Sequence, residues 1–165
     1  MSSVERDDLL ETLAKHRGFL RYTVRDLTDE QAARRTTVSE LCLGGLIKHV
    51  AQVEHRWISF VLEGAAAWRH TAGPGDWANS FRMLDGETLA GLLDQYEQVA
   101  RRTEDVVTKL PDLNESQPLP QSPWFPPGAR WSARRVLLHL IAETSQHAGH
   151  ADIIREALDG AKSMG

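Results

Sequence analysis

The chain has 165 residues, with 19 basic against 23 acidic side chains, a net charge of −4, seven histidines and one cysteine. A chain of this size is expected to form one domain over 1–165 and to bury about 70% of its unfolded surface, enough core to dispense with disulfides. The charge balance argues against a broad nucleic-acid surface. Cys42 has no partner for an internal bridge, in keeping with a reducing cytoplasm. Met1 to Glu11 lacks a basic segment followed by an apolar run, so no secretory leader is expected, and no stretch reaches the ~18 apolar residues of a membrane span.

Helical periodicity governs four long segments, and none alternates with the period of a strand. The first runs from about Val4 to Asp26, with Leu9, Leu10, Leu13, Leu20 and Val24 at helical spacing. Thr28-Asp-Glu-Gln31 has the form of a capping box and predicts a short helix through Ala33. The second long helix is predicted from Ser39 to Gly64, whose missing Cβ suits a left-handed cap. Ala65 to Gly86 reads as a connection. The third helix is predicted from Glu87 to Leu110, where Pro111 stops it. Residues 111–131 are proline-rich and read as a long loop, whose Trp124 and Trp131 either pin it to the core or line a pocket mouth. Ser132 is a good N-cap for a fourth helix reaching Leu158, with Gly160 just beyond. The pattern predicts an all-α protein, a four-helix bundle.

On the fourth helix, Val136, Leu140, Glu143, His147, His150 and Ile154 recur at steps of three and four, the spacing of an inward seam. The seam is apolar at its ends and polar in its middle, and His139 lies one turn before Glu143. A buried carboxylate needs a proton, a hydrogen bond or a metal. The second helix offers a partner, because His49 sits about 60° around the wheel from Leu46, a member of that helix's own apolar seam. His49, Glu143 and His147 would give two nitrogens and one oxygen with a position left for an exogenous ligand, the arrangement of catalytic zinc. Nickel, iron or manganese accept the same donors, and His139 or His150 could replace one of them. His16, His55 and His70 fall on faces that default to solvent, and Cys42 reads as a small buried hydrophobe.

The run from His139 through Glu143, His147, His150, Asp152 and Arg155 to Glu156 resembles the C-terminal signature of DinB-like metalloproteins. It is closest to an actinobacterial branch that includes mycothiol-dependent maleylpyruvate isomerase and mycothiol S-transferases. Leu46-Ile-Lys-His49 through Trp57 resembles the second helix of that family. The resemblance implies an up-down-down-up bundle, a His49, Glu143, His147 ligand set, and homodimers among the relatives. It places His150, Asp152 and Arg155 at recurring positions of the branch. The isomerase carries a further C-terminal domain, whereas this chain ends soon after the shared bundle, which favours thiol transfer over isomerisation.

The expected function is therefore a metal-dependent thiol S-transferase in which mycothiol attacks a small electrophile. His150 would orient substrate or shuttle a proton, and Asp152 and Arg155 would bind substrate, although Arg155 could instead pair with Asp152 or Glu156. A metal-dependent hydrolase and a non-catalytic metal- or ligand-binding module share the same donors and stand as alternatives.

Overall fold

The computed structural model describes residues 3–68 and 76–163. It is mostly helical, in the order α1 (Ser3–Tyr22), α2 (Asp29–Ala33), α3 (Leu43–Glu63), a 3-10 turn (Gly64–Trp68), α4 (Asp76–Ser80), α5 (Leu89–Lys109), β1 (Ser116–Pro118), β2 (Arg130–Ser132) and α6 (Ala133–Asp159). The expected all-α class holds, with one small addition. Inside the proline-rich segment β1 and β2 pair antiparallel, Gln117 opposite Trp131, each too short to print an alternation on the sequence.

Local chemistry explains where the helix ends depart from expectation. α1 stops at Tyr22 rather than Asp26 because the chain turns there, with Asp26 at φ +57°. α3 starts at Leu43 rather than Ser39, since the Ser39 hydroxyl accepts from the Leu41 amide and so caps a turn. α5 starts after Thr88, whose hydroxyl accepts from the Gly91 amide, while Glu87 is diverted to the Leu84 amide. The connection after α3 is partly helical. Gly64 takes φ +62° with ψ −145°, a glycine-only conformation outside the left-handed helix, and the chain continues as a 3-10 turn. Other signals act as expected. Thr28 and Gln31 form a complete capping box, Ser132 accepts from the Arg135 amide, and Gly160 closes α6 at φ +78°.

α1 packs on α5 and α6, and α3 packs on the same two helices, so each long helix buries two faces. The apolar residues divide into two clusters. One gathers Leu46, Val50, Tyr96 and Ala151, and the other gathers Val53, Trp57, Val136 and Leu140. Glu143 and His147 on α6 fall between the two clusters in chain position, and His49 on α3 sits among the residues of the first. No described helix is long and apolar enough to cross a membrane.

Candidate metal centre

The seams read from the sequence converge. His49 is 2% exposed on α3, flanked by the core residues Leu46 and Val50. Glu143 and His147 stand on successive turns of α6, both half-buried. One ligand atom from each of the three lies within 4.8 Å of the other two. His147 Nε2 is 3.6 Å from Glu143 Oε2, and the His49 and His147 rings meet edge-on at 5.0 Å.

Their protonation states suit a cation. Burial, reinforced by the charge of His147 and opposed by Glu143, pulls the His49 pKa down to about 4. The adjacent His147 holds the Glu143 carboxyl below its usual range against the opposing effect of burial, with the nearby His139 and His49 helping. Near neutral pH, His49 is therefore a free base and Glu143 an anion, the forms a divalent metal accepts. Two imidazoles and a carboxylate converging on one point fit such an ion.

The tautomer of His49 follows from a neighbour that the sequence did not reveal. Ser80 Oγ donates its only proton to the Trp77 carbonyl at 2.6 Å. At 3.1 Å from His49 Nδ1, the same oxygen must therefore accept, which places the imidazole proton on Nδ1 and leaves Nε2 with a lone pair. Ser80 sits in the segment that reads as a connection. A signal for it exists in Gly44 and Gly45, one turn before His49. A Cβ at Gly45 would overlap the Phe81 backbone, and one at Gly44 would overlap the Met83 thioether. Only glycine lets the segment lie this close to α3. The approach stacks Phe81 on His49 at 3.8 Å and sets Trp77 edge-on at 5.3 Å.

The remaining site candidates separate into two groups. His150 Nδ1 lies 3.3 Å from His147 Nδ1, and His139 Nε2 lies 4.0 Å from Glu143 Oε1, so both flank the cluster. The His139 ring meets Trp57 and Trp131 edge-on. Asp152 and Arg155 are engaged elsewhere. Asp152 accepts from the backbone and hydroxyl of Ser163. Arg155, 5% exposed, donates to the carbonyls of Thr23 and Arg25 and pairs with Asp159, rather than with Asp152 or Glu156. That staple ties α6 to the turn that ends α1.

Of the solvent-facing histidines, His55 is exposed as expected and sits against Arg102, and His16 packs edge-on to Phe19. His70 lies outside the described residues. Cys42 is buried, its Sγ 3.6 Å from the Phe81 carbonyl. Trp131 pins its loop by stacking on Trp57 at 4.5 Å, whereas Trp124 is 82% exposed.

The family model described as Mycothiol-S-transferase aligns with residues 8–160, a span that contains His49, Ser80, Glu143, His147 and His150. No curated protein matches the chain.

Proposed function

The chain belongs to the mycothiol S-transferase family, and from that premise we propose that it is a metal-dependent thiol S-transferase. Mycothiol is the proposed cosubstrate and small electrophiles are the acceptors. The observation that carries this reading is the convergence of His49, Glu143 and His147, with ligand atoms within 4.8 Å of one another. These three residues would hold a divalent ion, zinc in the first instance, with nickel, iron and manganese accepted by the same donor types. When bound, such an ion lowers the pKa of a coordinated thiol and so supplies a thiolate near neutral pH.

The chain's own residues do the rest. Ser80 holds the proton on His49 Nδ1, so that Nε2 is available at all pH values near neutrality. His150, against Nδ1 of His147, orients that ring and is placed to carry a proton to or from the reacting groups. Phe81 and Trp77 wall the His49 side, while Trp57 and Trp131 close around His139. These rings place apolar surface beside the ligand residues. Cys42 is buried, so the reacting sulfur comes from the cosubstrate. That sulfur forms the new bond to an electrophilic carbon, and a displaced leaving group departs with its electron pair. Asp152 and Arg155 take no part in these steps. The ring of four long helices is read as the up-down-down-up bundle of DinB-like proteins.

The test is direct. Protein loaded with metal should conjugate mycothiol to 1-chloro-2,4-dinitrobenzene faster than the uncatalysed reaction, and chelation should abolish the difference. Hydrolysis of activated esters without thiol would favour the hydrolase instead. Saturable mycothiol binding without turnover would mean a binding module.

A further inference from the structure

A cleft of about 1170 Å³ runs from His49 along the groove between α3 and α5. Its floor follows from helical spacing. His49, Arg56 and Glu63 recur at seven-residue steps on α3 and so share one face, and Arg102 reaches in from α5. Two turns of helix put the Arg56 backbone about 10 Å along the axis from His49. An extended arginine side chain covers much of that separation.

The charges in this cleft are unevenly matched. Lys48 is neutralised by Glu87 at 2.8 Å. Arg102 donates to His55 Nδ1 and Ser59 Oγ and has no carboxylate partner among the described residues. Arg56 is half-buried and has no hydrogen bond, ion pair or aromatic contact among the described residues. Every other described arginine has one. Glu63 is the remaining acid on the cleft wall, two further turns beyond Arg56 from His49. Beyond the Lys48–Glu87 pair beside His49, the cleft thus carries two guanidinium groups without a carboxylate partner among the described residues. Burial draws the Arg56 pKa below the usual arginine range, as expected for a cation that has lost water and gained no partner. A guanidinium presents a planar fork that fits a carboxylate, and a ligand carboxylate would supply the missing acceptor.

We infer that this cleft is the subsite for an anionic group on the electrophile, with Arg56 binding a carboxylate and Arg102 adding charge. The substrate class is small electrophilic carboxylic acids, molecules about the size of a substituted benzoate. The word electrophile rests on the transferase reading, but the anion subsite stands without it.

Two measurements separate the claims. The first is calorimetric titration of the metal-loaded protein with benzoate and with benzamide. Benzoate should bind more tightly than benzamide. Arg56→Ala should weaken benzoate by about tenfold or more, the usual scale of a charge-assisted hydrogen bond, and leave benzamide unchanged. Arg56→Gln serves as a second variant of closer shape, with helical content checked by circular dichroism. Arg101→Ala, which removes an exposed pair with Glu97, should behave as wild type. Equal benzoate affinity in wild type and both Arg56 variants would overturn the subsite. The second compares mycothiol conjugation of 4-chloro-3-nitrobenzoate with that of its amide. A preference in kcat/KM for the acid, lost in Arg56→Ala, supports both claims. Conjugation without that preference overturns the subsite and leaves the transferase reading intact. Benzoate binding that depends on Arg56, without conjugation, supports the subsite and overturns the transferase.

Discussion

Two polar clusters lie within the helical packing, and they are finished differently. Glu54, with no exposed surface, accepts from Arg17 Nε at 3.1 Å, from Arg17 Nη2 at 2.5 Å and from the Thr103 hydroxyl at 2.5 Å. Arg17 is 5% exposed and Thr103 fully buried, and Arg17 also reaches the half-exposed Glu104 at 3.4 Å, so a buried network ties α1, α3 and α5 together. Five residues earlier on α3, His49 faces Glu143 and His147, and these three aim donors at a shared point. Glu143 remains half-buried. The first cluster satisfies its charge from within the protein. The second keeps donor atoms in hand for something else. Burial of charge demands partners in both cases, and the difference in who supplies them separates a structural network from a binding site.

That contrast can be broken most forcefully at Glu54. Glu54→Ala leaves the buried Arg17 guanidinium with only the half-exposed Glu104 at 3.4 Å. It should cost about 3 kcal/mol in urea unfolding, the low end for breaking a buried pair, while metal content per folded molecule stays unchanged. A loss below about 1 kcal/mol would show that Glu104 and water satisfy Arg17 without Glu54. A smaller effect is expected at Ser80. Ser80→Ala removes the acceptor that fixes the His49 tautomer and should weaken metal affinity by about 10–100-fold, with Ser80→Thr restoring most of it. Equal affinity in Ser80→Ala, measured by chelator competition, would remove Ser80 from the site.

A third effect is a pH dependence of the metal-free protein. His49 has an ordinary pKa of 6.5 and is held near 4 in the fold. Between those values the unfolded chain binds the extra proton. The contribution of this group is therefore fully present above about pH 6.5 and declines as pH falls towards 4. The stability difference between wild type and His49→Gln should follow that window. A difference independent of pH from 7 to 4 would mean that His49 is not buried as a neutral base.

How much of this was legible in the sequence follows from the range of the interactions. Helices α3 and α6, their apolar seams and the pairing of Glu143 with His147 follow from spacing within single helices, which sequence reports directly. His49 as the third ligand was an expectation carried by the resemblance to DinB-like metalloproteins. Ser80 was hidden because its role depends on a segment folding back over α3. Gly44 and Gly45 mark that approach without naming what approaches. The Arg17–Glu54 pair was hidden for a similar reason, since its partners lie 37 residues apart on different helices. Arg155 shows the opposite failure. Its neighbours in sequence suggested Asp152 or Glu156, but the carbonyls freed where α1 ends drew it across to Thr23 and Arg25. The short β pair was invisible because three residues per strand carry no periodicity.

The central claim is that His49, Glu143 and His147 form a metal centre, and one measurement tests it most directly. Protein purified without an affinity tag is assayed for metal by mass spectrometry, beside Glu143→Ala and His147→Ala. The account predicts close to one divalent ion per chain in wild type and loss of most of it in each variant, with both variants still folded. Full metal retention in both variants, or a folded wild type that binds no divalent ion when one is supplied, would contradict it.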